Sequence, residues 1–115
     1  MKNKLLRLAE LIQENFSGDF VEAFKSSGKK SLEKRVSIAS EARTSHQSRS
    51  ETLWLKAGKK RTTEERCATA QADLAAFVFA YLTGDGKEYA ESAVEALRVL
   101  GRHGEVDLVG SLVKR

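Results

Sequence analysis

The chain is expected to fold as all-α: a single compact bundle of five to six helices with a polar, basic middle segment. Three observations carry that expectation. None of the 115 residues is proline, the residue that costs a helix interior about 3 kcal/mol. Apolar residues recur at spacings of three and four, which lines one face of a helix. Capping pairs, with an acid three residues after a Thr or Asp, stand at Asp19 and Glu22, Thr62 and Glu65, and Asp85 and Glu88. The length fits one domain of roughly 100–150 residues. With 41% apolar and 31% charged residues, the composition excludes a wholly disordered chain. Residues 1–115 therefore read as one domain, with a basic Ser/Thr-rich segment over 29–62 and a helical core over 63–115.

Taken in order, Leu5, Leu8, Ile12 and Phe16 share the face of a first helix, and Ser17-Gly18 is placed to stop it. Asp19 begins a short second helix with Phe20, Ala23 and Phe24 inward, ended by Gly28. Ser31 is placed to cap a third, whose apolar face is Leu32, Val36, Ala39 and Ala42. From Ser40 to Thr52 there is no large apolar residue. Hydroxyl side chains compete with helical backbone bonds, so this stretch reads as either a mobile loop or a solvated helix. Leu53-Trp54-Leu55 is expected to return the chain to the core with Trp54 as an anchor, in preference to a base-stacking role for Trp54 beside Lys56 and Arg49, before the basic turn Gly58-Lys59-Lys60-Arg61.

The second half has the firmer pattern. A helix from about Thr63 to Thr83 places Cys67, Ala70, Leu74, Phe77, Val78 and Tyr81 on one face. From Leu74 onward its other faces are apolar too, which marks a helix enclosed by neighbours. Gly84-Asp85-Gly86 is a turn, and Lys87 to Leu100 forms the next helix with Ala90, Ala93, Val94 and Leu97 in register. Gly101 and Gly104 break the chain before a last helix carrying Val106, Val109, Leu112 and Val113.

Charge is distributed unevenly. From Lys25 to Arg66 there are 12 basic residues against five acids, a net of +7, within a chain whose total is +4. The remainder is −3, from eight basic and 11 acidic residues. Lys and Arg attract phosphate without sequence preference, and interleaved Ser, Thr and Gln add hydrogen bonds to phosphate or sugar. The residues placed for such a contact are Lys29, Lys30, Lys34, Arg35, Arg43, Arg49, Lys59, Lys60 and Arg61. His46 lies among them and is positioned to touch phosphate. The sequence thus suggests a nucleic-acid-binding accessory protein, a small subunit or regulator of a nucleoprotein complex that takes DNA or RNA by its backbone. The alternative is a helical protein–protein interaction module, such as a small phage-encoded inhibitor of a host nucleoprotein complex.

Other chemistries find little footing. A structural zinc site takes about four Cys or His ligands, and the chain offers Cys67, His46 and His103 at no paired spacing. Cys67, next to alanines, reads as a small buried hydrophobe rather than a nucleophile. His103 reads as a solvated loop histidine. Glu64-Glu65 and the stripe Glu88, Glu91, Glu95 read as solvated carboxylates with ordinary proton affinity. Gly84-Asp85-Gly86 lacks the strand and the Gly-Lys-Ser/Thr of a phosphate loop. No metal, cofactor or catalytic activity is therefore expected. The apolar run Leu74 to Leu82 is nine residues, ~13 Å of helix, against a bilayer core of roughly 30 Å. With Arg7 and Glu10 interrupting the leucines near Met1, and a lone cysteine, a cytoplasmic protein without a membrane partner is expected.

Overall fold

The structure, a computed structural model, describes residues 3–25, 31–58 and 61–113. Among them six α-helices follow in order: α1 (Asn3–Gln13), α2 (Phe20–Lys25), α3 (Ser31–Lys56), α4 (Thr63–Thr83), α5 (Ala90–Val99) and α6 (Val106–Val113). Single 3₁₀ turns at Lys87–Tyr89 and His103–Glu105 lead into α5 and α6. No strand occurs among the described residues, and the all-α bundle read from periodicity is the fold.

The enclosed helix is α4. Its Leu74, Ala75, Phe77 and Val78 are fully buried, and it packs on α1, α3 and α5. Leu8, Ile12, Phe20, Ala39, Ala42, Ala93 and Leu97 close the core around it. Each large apolar side chain withdrawn from water in this way contributes about 1.5–3 kcal/mol. Cys67 is only half-buried and stands outside this core, so the apolar face of α4 starts about one turn later than the spacing suggested.

Thr62 caps α4 as its spacing foretold, its Oγ1 accepting from Glu65 N at 3.1 Å. The Glu65 carboxylate does not reach back to complete a capping box. It turns into the α3–α4 interface, accepting from Ser50 Oγ at 2.9 Å, Thr69 Oγ1 at 2.8 Å and Arg61 Nε at 2.6 Å. Only Glu64 of the pair is exposed; Glu65 is buried, which corrects the expectation of two solvated carboxylates. Burial alone would push the Glu65 carboxyl up, but the Arg61, Thr69 and Ser50 hydrogen bonds and the Arg61 charge outweigh it and hold it low.

Helix α1 ends at Gln13, ahead of the expected stop at Ser17-Gly18. The left-handed residue is Asn15, φ 64°, a conformation asparagine tolerates better than most residues. Three carbonyls at this helix end would be unsatisfied without outside donors. His46 Nε2 donates to Ile12 O at 2.9 Å, and Gln71 Nε2 donates to Leu11 O at 2.9 Å and Glu14 O at 2.7 Å. Gln13 ties down the following turn, donating to Phe16 O at 3.1 Å and Gly18 O at 2.6 Å while its Oε1 accepts from Val21 N at 2.9 Å. Thus an amide at the start of α2 is satisfied by Gln13. Gly18 is needed for contact rather than for helix termination: a Cβ there would stand 2.7 Å from the Phe16 ring.

The Ser/Thr-rich stretch is helical, the second of the two alternatives, and lies inside the 26-residue α3. Ala39, Ala42 and His46 form its buried edge, and Arg49 and Ser50 continue it. Its polar groups bond across to α1 and α4, so they do not compete with their own backbone. Leu53-Trp54-Leu55, by contrast, does not return to the core. Leu55 is 74% exposed, and Leu53 and Trp54 are half-buried outside the core cluster. Beside this last turn, α4 begins with the polar Thr63-Glu64-Glu65-Arg66, which gives a tryptophan little apolar surface to join.

Gln71 sets the test of this packing. Gln71→Leu leaves two helix-end carbonyls and the Arg49 guanidinium without their partner. It should lower unfolding stability in urea by about 2–4 kcal/mol, since each buried unsatisfied group costs about 1–3 kcal/mol. A loss below ~0.5 kcal/mol would show that these bonds are not what holds α1.

Candidate nucleic-acid interface

Five of the nine cationic residues nominated for phosphate contact are described, and these five do not form one face. Lys29, Lys30, Lys59 and Lys60 lie outside the described residues. Lys34 is exposed in the first turns of α3. The four arginines are each engaged within the fold.

Arg35 donates from Nε to Ala23 O at 3.1 Å and from Nη2 to Phe24 O at 3.3 Å, and its guanidinium lies 5.3 Å from the Phe24 ring centroid. A cation at the carbonyl end of α2 is favourably placed against the helix dipole. Arg43 stands 5.8 Å from the Tyr89 ring centroid, with Asp73 close enough to feel its charge. Arg49 Nη2 donates to Gln71 Oε1 at 2.5 Å, while its Nε is buried without a partner among the described residues. Arg61 pairs with the buried Glu65 carboxylate but keeps half of its side chain in solvent.

The outward side of α3 is therefore different in character from its charge count. Glu33, Glu41 and Glu51 are exposed there with Lys34 and Lys56, and between them stand Ser37, Ser40, Thr44, Gln47 and Ser48. That surface is polar and close to neutral. The free cations gather at the helix ends: Lys34 near the start, and Lys56 near the finish with Arg66 beyond it on α4. A helix of 26 residues is about 39 Å long, so the basic middle is two separated groups rather than one patch. Arg66 stands outside the nine nominated residues, and Lys56 enters the sequence reading only as a neighbour of Trp54. Their register gave no signal, since Lys56 continues the spacing of Ala39, Ala42 and His46, and Arg66 that of Ala70 and Leu74; both are exposed because they stand in the terminal turns of their helices.

His46 is also relocated. It is fully buried, its ring centroid 6.0 Å from that of Phe16, and so cannot touch phosphate. A carbonyl only accepts, so the bond to Ile12 O places the proton on Nε2 and leaves Nδ1 bare and unpartnered. Burial lowers its proton affinity, the Ile12 bond partly opposes this, and the Arg49 charge lowers it further. Asp73 shifts the other way, raised by burial against a lowering by Arg43. Among the described residues no group of three His, Cys, Asp or Glu is placed to hold a metal ion. Nor is any described helix long and apolar enough to cross a membrane. No protein-family model, curated protein or solved structure matches this chain.

The buried imidazole gives a pH dependence with a definite sign. The unfolded chain takes up a proton near the ordinary histidine value of 6.5, whereas folded His46 resists it. Stability is therefore unaffected well above that value and falls as the pH drops below it. Asp73 contributes in the opposite sense, so the measurement is a difference between two proteins. From pH 7.5 to 5.5, the native chain should lose urea stability relative to His46→Gln, which retains a donor for Ile12 O. Parallel profiles would show that His46 is not buried neutral.

Proposed function

We propose that the chain is a non-catalytic accessory protein of a nucleoprotein complex, which meets the phosphate backbone of DNA or RNA through the basic ends of α3. The observation that carries this reading is the partition of its cations. Arg35, Arg43 and Arg49 are engaged by carbonyls, an aromatic ring or an amide. Lys34, Lys56 and Arg66 are exposed and have no hydrogen bond or ion pair to any described residue. Each end also adjoins a pair of lysines in the sequence, Lys29-Lys30 or Lys59-Lys60. Lysine is a flexible, hydrated point charge suited to backbone contact without base selection.

At the second end Trp54 adds a further element. It was expected in the core, where it would have no access to a ligand. It stands half-buried beside exposed Leu55 and Lys56 instead. A partly exposed aromatic ring in the same helical turn as a cation offers a face on which a single-stranded base can stack, worth about 1–3 kcal/mol per base. Single strands are accordingly favoured over duplex.

Fluorescence anisotropy with labelled single-stranded RNA, single-stranded DNA and duplex DNA, titrated against salt, tests this function. Affinity should fall steeply with salt, roughly one power of concentration for each phosphate neutralised. Lys59→Glu with Lys60→Glu should weaken every nucleic acid at least tenfold. Arg35→Ala and Arg49→Ala should lower the urea midpoint and leave affinity within about twofold, far below the loss from the lysine reversals. No binding at low salt, or equal loss from the inward arginines, would sink the proposal.

A further inference from the structure

Between α5 and α6 lies an open groove of about 490 Å³. Its apolar floor is made by Ala90 and Val94 of α5 with Val109 and Val113 of α6. Glu91, Glu95 and Arg98 edge it on the α5 side and are exposed. Among the described residues Glu91 has no ion-pair partner, and Glu95 has only Arg98, at 3.9 Å on a shared exposed surface.

Gly110 adds a second observation. It lies within α6 and lines the groove, and a Cβ added there meets no atom within 4 Å. Glycine inside a helix costs about 1 kcal/mol relative to alanine. Neither a positive φ nor a close approach within the molecule requires it here. The space above it is the part of the groove that a side chain from outside would fill.

We infer that the α5–α6 groove docks an amphipathic helix of a protein partner, one with an apolar stripe flanked by Lys or Arg. Two neighbouring helices present ridges at i and i+4, Ala90 with Val94 and Val109 with Val113, which accept the side chains of a third helix between them. The rim sets the sign: with Arg98 set against Glu95, the unpaired Glu91 leaves it net negative, which favours basic flanks over acidic ones. The same carboxylates repel phosphate, so this surface is independent of the nucleic-acid contact at the ends of α3. A chain with both surfaces would join a basic protein helix to a nucleic-acid strand.

The probe is an 18-residue fluorescein-labelled peptide with leucines at i, i+4, i+7 and i+11 and lysines beside them, paired with a peptide carrying glutamate in place of lysine. The lysine peptide should bind saturably, and the glutamate peptide at least tenfold more weakly. Glu91→Lys with Glu95→Lys should lose the lysine peptide at least tenfold. Gly110→Leu should do the same while keeping or raising the urea midpoint, which separates a filled groove from a damaged fold. Lys59→Glu with Lys60→Glu should leave peptide binding unchanged even if it abolishes nucleic-acid binding. Equal binding of both peptides, no binding of the lysine peptide, or binding that survives Gly110→Leu overturns the inference. So does a dimer of the native chain that Gly110→Leu converts to monomer, since the occupant would then be a second copy.

Discussion

Three carbonyl oxygens, those of Leu11, Ile12 and Glu14, are the point on which the packing of the first half of the chain converges. A helix end facing protein instead of water must find donors, because each unsatisfied carbonyl costs free energy comparable to a lost hydrogen bond. The donors come from two other helices, His46 on α3 and Gln71 on α4. That requirement explains why two polar side chains are buried where the bundle would otherwise be apolar. It explains in turn the engagement of Arg49, whose bond to Gln71 Oε1 satisfies the other end of the same amide. Apolar burial supplies most of the driving force; these directional bonds determine which part of α1 meets which part of α3 and α4.

A second polar node, where Ser50, Thr69 and Arg61 surround the Glu65 carboxylate, lies about one turn further along α3 and secures the α3–α4 interface near the start of α4. Ahead of the two nodes α3 contributes small buried residues, Ala39 and Ala42, rather than large ones. A helix so poor in apolar side chains keeps its register because its polar side chains have defined partners. Directional bonds between buried polar groups restrict a core to one arrangement more sharply than apolar contact does.

The helices were legible in the sequence wherever apolar spacing was regular. The bounds Thr63 and Thr83 of α4 followed from a cap and a three-to-four-residue pattern, both of which are local. The end of α1 was not legible, because Asn15 rather than a glycine takes the left-handed turn and the donors that complete it are 34 to 60 residues away. Leu53-Trp54-Leu55 misled for a related reason: hydrophobicity shows a side chain's preference, not whether a neighbour is present to cover it. The candidate interface was legible as a count and not as a place. Arg35, Arg43 and Arg49 contribute to the same sum as Lys34 and Lys56, yet one set is engaged within the fold and the other is exposed, a distinction of place along the helix and of available partners that net charge cannot express.

The clamp on α1 also orders the chain in time. Ile12 is bonded to a residue 34 positions later, and Leu11 to one 60 positions later. During synthesis the first helix therefore emerges long before the side chain that completes its end. Contacts of such separation are slow to form, because the entropy of closing the intervening chain must be met first. Helices α3 and α4, adjacent in sequence and joined by the largest interface, are the natural nucleus, and α1 docks upon them. Helix α1, made before the five helices that follow it, is in this sense the one whose structure is completed late, and until then Leu8 and Ile12 remain available to other apolar surfaces, a chaperone's among them.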